Sequence, residues 1–212
     1  MFGAGVVLLL LAAGFGGMMY VLVKPSKGPR IPGYSSPRTA LLVVDIQEDF
    51  TGSDAKVPYK DGPRILSAAN ELLARAQRED CAVVFIRNEV DNACLRFLVG
   101  GRNAPGAPGT AMDRRLVQVP GTLTLPKYRS DAFTNSELDA FLRQRRVDRL
   151  VIVGLDGAYC IDATTKGALN RGYKVTLVTR GIATESGQSL EDLGERWRKL
   201  GVEVVEFPGA RM

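Results

Sequence analysis

A chain of 212 residues, 24% charged and 45% hydrophobic, is long enough for one ordinary domain plus a short appendage, and its composition excludes a disordered chain or a disulfide scaffold. Three scattered cysteines, Cys81, Cys94 and Cys160, are too few for a disulfide framework or a CxxC zinc site, and the absence of histidine excludes Ser-His-Asp and Cys-His chemistry. The net charge of +5 comes from Lys and Arg interspersed with acids, as in RRVDRL and EDLGERWRKL, which reads as solvated helix faces and not as a nucleic-acid surface.

The first element in chain order is apolar. Residues 3–23, GAGVVLLLLAAGFGGMMYVLV, carry no charge, and at about 1.5 Å per residue they reach across a hydrocarbon layer of about 30 Å. No basic residue precedes this run, which argues against a cleaved signal peptide, whereas Lys24, Lys27, Arg30 and Arg38 follow it. The expectation is a transmembrane anchor at 1–23 with the rest of the chain cytoplasmic. The Pro, Gly, Ser and basic residues of 24–38 predict a tether, followed by a catalytic-sized domain at 39–212.

From residue 39 strands and helices alternate. TALLVVD reads as a central parallel strand ending in a carboxylate, and GPRILSAANELLARAQRED as a helix with Ile65, Ala69, Leu72, Leu73 and Ala76 on one face. CAVVFIRN is the second strand. A long Gly- and Pro-rich stretch within 88–126 then separates it from TLTLPK, longer than ordinary connections and suited to covering a site. SELDAFLRQRRV, DRLVIVGL, CIDATTKGALNRG, YKVTLVT, SLEDLGERWRKLG and VEVVEF complete the series. The pattern predicts a three-layer αβα domain around an open, mainly parallel six-stranded sheet.

In such sheets ligands bind beyond the carboxyl ends of the strands. Three reactive side chains fall there: Asp45 after the first strand, Lys127 at the end of the third and Cys160 after the fourth. Taken singly, a turn carboxylate, a solvated lysine and a small buried thiol are the ordinary readings. Together they point to a thiol nucleophile whose pKa falls beside a helix N-terminus and a cation, with Asp45 as proton acceptor. The GLDG turn before Cys160 would let backbone N–H groups face a developing oxyanion.

At these residues the chain resembles the isochorismatase-like cysteine hydrolase superfamily, which includes nicotinamidases and N-carbamoyl amidohydrolases. Three blocks carry the likeness: Asp45, Gln47, Asp49 and Phe50 in DIQEDF, the lysine block KYRSDAF, and GLDGAYCI around Cys160. The resemblance covers about Thr39 to Phe207. It implies a Cys160-Asp45-Lys127 triad, a cis peptide just before Asp156, and an oxyanion hole made by the backbone N–H groups of Asp156 and Cys160. Similar nicotinamidases bind a metal through an Asp and two histidines; with no histidine here, neither a metal nor another cofactor is expected.

The expected function is metal-independent hydrolysis of a C–N bond in a small amide or ureide. Gln47, Phe50, Phe133, Tyr159 and Arg87 or Asn88 are the expected substrate contacts, with Phe50 and Phe133 equally readable as core. The resemblance also implies a homo-oligomer; the long stretch within 88–126, with Cys94 and Arg96, is read as completing either its own subunit's site or a neighbour's, and no nucleic-acid partner is expected. The alternatives are vinyl-ether hydrolysis of the isochorismatase type, a non-catalytic membrane-anchored binding module, and a redox sensor pairing Cys160 with Cys94 or Cys81.

Overall fold

The apolar runs become six parallel strands in the order β3-β2-β1-β4-β5-β6. They are β1 (Arg38–Val44), β2 (Ala82–Asn88), β3 (Leu123–Lys127), β4 (Val147–Gly154), β5 (Lys174–Ile182) and β6 (Glu203–Val205). The structure, a computed structural model, describes residue 17, residues 20–98, residues 103–207 and residue 209, apart from the side chains at 94, 95 and 98. The five helices described are α1 (Gly62–Arg78), α2 (Ala93–Leu98), α3 (Ser136–Gln144), α4 (Asp162–Asn170) and α5 (Leu190–Lys199).

Strand β1 shows why the sheet must be covered on both faces. Ala40, Leu42 and Val44 join one apolar cluster with Leu138 and Leu142 of α3, Ala168 of α4 and Trp197 of α5. Leu41 and Val43 join the other, with Ile65, Leu72 and Leu73 of α1. All five strand residues are 0% exposed, so each face contributes hydrophobic stabilisation and the expected three layers follow from strand alternation. The chain reverses its direction of strand addition between β1 and β4, and the crevice of an open sheet lies at that switch point.

Most of the apolar run at 3–23 lies outside the described residues. Among the described residues no helix is long and apolar enough to cross a membrane; residues 20–23 are helical. The segment that follows, the tether its composition predicts, is hydrogen-bonded to the domain. Ser26 donates its N–H to Asp131 Oδ2 at 2.7 Å, and its carbonyl accepts from Asn170 Nδ2 at 2.9 Å. Ile31 donates to the Arg171 carbonyl at 2.8 Å, and Arg143 donates to the Pro29 carbonyl. Buried Asp131 and Arg171 need partners that the domain alone does not supply in full, and prolines at 25, 29 and 32 reduce the entropy lost on docking.

Arg171 ties this strap to the domain. Its guanidinium reaches Asp139 at 2.7 Å and the Ser26 hydroxyl at 3.0 Å, and stacks over Phe133. Arg171→Met is expected to lower stability by roughly 3 kcal/mol, because Asp139 loses a partly buried counter-charge. Denaturant unfolding followed through the single tryptophan, buried Trp197, checks this; an unchanged midpoint would show that the strap contact contributes nothing.

Candidate active site at the β1–β4 switch point

Asp45 leaves β1 in the left-handed region, φ 57°, with its N–H on the Ile86 carbonyl at 2.8 Å. That conformation is uncommon outside glycine and costs on the order of 1–3 kcal/mol, although Asp tolerates it better than most residues. It ends the strand and turns the carboxylate over the end of β2. Lys127 pairs in register with Asn88 on β2, which puts its backbone two strand spacings, about 10 Å, from β1, so the Lys127 and Asp45 side chains close that gap together over the end of β2. Lys127 Nζ lies 2.8 Å from Asp45 Oδ2, 3.1 Å from Cys160 Sγ and 3.3 Å from Asn88 Oδ1. The three expected residues therefore meet at one ammonium.

Cys160 sits in a wide π-helical turn, Gly157–Ile161, that runs into α4. Such turns recur at functional sites because they displace one side chain from the helical path. Gly154 makes the turn possible: at φ 129° its missing Cβ leaves room for the Val44 carbonyl, which a side chain would strike. The cis peptide expected before Asp156 is absent, since every peptide bond among the described residues is trans. After Gly154, Leu155 and Gly157 donate their N–H groups to the Val44 and Ala183 carbonyls.

Burial governs the electrostatics. It raises the Asp45 pKa above the ordinary carboxylate range, with Lys127 acting in the opposite direction. Burial would lower Lys127, but the Asp45 carboxylate and Cys160 outweigh it and keep the side chain an ammonium. Cys160 keeps part of its surface, yet the packing around it pushes the thiol up to about 12, with Asp45 adding to the rise and Lys127 opposing it. The lowered thiol pKa expected from the helix end and the cation is thus reversed, because desolvation outweighs both. The resting group is a thiol beside a carboxylate that is more basic than usual. Asp45 Oδ1 is buried and accepts no hydrogen bond from the described residues, leaving it able to take a proton.

The other expected contacts separate. Tyr159 is 51% exposed beside Cys160, and Phe50 packs edge-on against Tyr59 at the rim. Arg87 pairs with buried Glu89 at 3.1 Å. Gln47 is fully buried; its amide donates to the Thr110 and Asn88 carbonyls and accepts from the Asn88 N–H at 2.6 Å, so it fixes the strand ends and the 108–112 stretch. Phe133 lies in the core against Tyr173, 5.6 Å between centroids. Cys81 precedes β2 at the amino-terminal end of the strands, about 20 Å of strand away from the site at their carboxyl ends, too far for a disulfide with Cys160. The side chain of Cys94 lies outside the described residues.

Reading the sequence missed the cradle around Asp156. Its carboxylate accepts from Ala158 N–H, Thr184 Oγ1 and Glu185 N–H, each at 2.8 Å, and from the Tyr59 hydroxyl at 3.3 Å. Burial and the Asp156 and Glu185 carboxylates raise the Tyr59 pKa, which keeps that phenol a donor. Asp156→Ala is expected to lower stability by about 2–4 kcal/mol, with Asp156→Asn recovering part of it, because three or four donors lose a charged acceptor. Unfolding curves of the two variants check this, and equal losses would remove the charge from the account. The 53–61 stretch, where family metal ligands would begin, does not fit a metal: Asp54 pairs with Arg114, Asp61 with Arg64, and no imidazole is available.

The family profile described as Isochorismatase domain matches residues 39–207. The chain belongs to the isochorismatase family. A streptothricin hydrolase of Streptomyces noursei is 30% identical over 168 residues, covering 79% of this chain and 61% of the relative. The chain thus spans under two thirds of that relative's length. A ureidoacrylate amidohydrolase of Stutzerimonas stutzeri (strain A1501) is 26% identical over 168 residues, 64% of this chain and 65% of the relative. Among solved structures, an isochorismatase family protein from Desulfovibrio vulgaris subsp. vulgaris str. Hildenborough superposes with a TM-score of 0.72 at 26% identity, covering 80% of this chain and 94% of that one. The isochorismatase domain and the six-stranded parallel sheet therefore coincide along the chain.

Proposed function

We propose that this chain hydrolyses a C–N bond of a small amide or ureide through a thioester on Cys160. The observation that carries this reading is the Lys127 ammonium, 2.8 Å from the Asp45 carboxylate and 3.1 Å from the Cys160 sulfur. As Sγ attacks the carbonyl, its proton passes to Asp45 and the nascent thiolate is stabilised by Lys127. Leu155, Gly157, Ala158, Tyr159 and Ile161 direct their N–H groups to protein acceptors, and those of Asp156 and Cys160 are the pair we assign to the oxyanion. Asp45 then protonates the leaving nitrogen and activates water to cleave the thioester. Tyr159, beside Cys160, and Phe50 and Arg87 are the side chains we assign to the substrate. The name of the ureidoacrylate amidohydrolase relative supports amide and ureide substrates.

A screen of amides and ureides for released ammonia or amine tests the reading, with a vinyl-ether substrate as the competing class; turnover of the vinyl ether alone would replace it. Asp45 must be ionised to accept the thiol proton, and its pKa is raised, so kcat/KM should fall on the acid side at a pH above the ordinary carboxylate value of about 3.9. An acid limb centred at that ordinary value would contradict Asp45 as the base.

The same reading places the anchor at 1–23 in the membrane, once, with the hydrolase domain cytoplasmic, supported by the four basic residues that follow the apolar run. Protease added to intact expressing cells should leave the domain uncut until the membrane is permeabilised. It also includes self-association through the 88–126 stretch, supported by Phe97, 86% exposed. Light scattering that returns a monomer mass would remove that part.

A further inference from the structure

The described end of the N-terminal helix is fastened to the domain. Ser130 donates its N–H to the Leu22 carbonyl at 2.9 Å, and Ser26 is held by Asp131 four residues further along. Between this strap and the loop after β3 lies a cavity of about 450 Å³ lined by Val21, Lys24, Ser26, Lys27, Arg129 and Thr134 among others, with no acid among its lining residues. Lys24, Lys27 and Arg129 are exposed, and among the described residues none of them forms an ion pair. Tyr20, Val21 and Val23, at 60%, 45% and 39% exposure, turn apolar surface outward beside the cations. The sequence from 3 to 19 that leads into them carries no charge.

We propose that this cavity binds the phosphate of an anionic lipid headgroup, in the leaflet where the apolar N-terminal segment ends. The inference rests on the membrane reading of 1–23. Three cations gathered from two segments, one on the strap and one on the domain, match a phosphate in charge and have no protein carboxylate to neutralise them. Exposed Tyr and Val beside them match the boundary where headgroups meet acyl chains. A basic tether that floated free would attract a charged surface without a fixed geometry; this one is held against the domain by backbone hydrogen bonds, so Arg129 and Lys24 share one cavity.

The test uses the full chain in neutral detergent micelles, titrated with phosphatidylglycerol, phosphatidylcholine or inorganic phosphate and read by native mass spectrometry. Phosphatidylglycerol should be retained in preference to phosphatidylcholine, and Lys24→Gln, Lys27→Gln and Arg129→Gln should each weaken it about fivefold, roughly hundredfold together. Equal retention of the two lipids, or a triple variant that binds as the parent does, overturns the proposal. Inorganic phosphate competing as well as the lipid at equal concentration overturns the lipid source. Insertion into pure phosphatidylcholine vesicles depends only on the apolar segment, so a chain that fails to insert there overturns the anchor itself, separately from the headgroup site.

Discussion

Cys160→Ala is expected to reduce amide or ureide turnover by about 10⁴-fold or more while leaving the fold unchanged, because the variant removes the atom that forms the covalent intermediate. The site lies beyond the strand ends, and Cys160 is only partly buried, so deleting its sulfur leaves no large cavity in either apolar cluster. The unfolding midpoint should therefore stay near that of the parent. Residual turnover near the parental rate would move the protein to thiol-independent vinyl-ether chemistry; no turnover by either protein on any substrate class would favour a binding module.

Lys127→Met is expected to damage both activity and stability. It removes the cation from a pair in which both side chains are almost fully buried, and breaking such a pair costs about 3–5 kcal/mol because the carboxylate is left uncompensated. Asp45 would escape that cost by taking up a proton, which also removes the base and lowers turnover by roughly 10³-fold. The sign of the pH dependence follows from this. With Lys127 gone, the folded pKa of Asp45 rises further above its unfolded value of about 3.9, so the native state binds the proton more tightly. Stability should then fall as pH rises through the window between those two values, and the variant should lose more at pH 8 than at pH 5. Unfolding curves at the two values check this, and a loss that is equal or larger at pH 5 would contradict an unpaired Asp45.

The layers and the meeting of Asp45, Lys127 and Cys160 were legible because short apolar runs ending in Asp45 and Lys127, and the one leading into Cys160, put these side chains at one end of an open sheet, where ligands bind in such folds. What stayed hidden depends on contacts between distant segments. Thr184, Glu185 and Tyr59 reach Asp156 from 28, 29 and 97 residues away, and no spacing announces that cradle. Gln47 and Phe133 have the side chains of ligand contacts, but one is used to align strand ends and the other fills the core. The strap has the composition of a linker, and its docking depends on backbone atoms of Ser26 meeting a buried carboxylate. The thiol's high pKa is a property of packing, which outweighs the helix end and cation visible in the sequence.

The most direct measurement is an acid quench of the working enzyme with a ureide or amide substrate, followed by peptide mass mapping. An acyl adduct should appear on the peptide carrying Cys160, be absent from Cys160→Ala and be depleted in Asp45→Asn. Turnover at the parental rate with no adduct on Cys160, together with activity kept by Cys160→Ala, would contradict a thioester on Cys160.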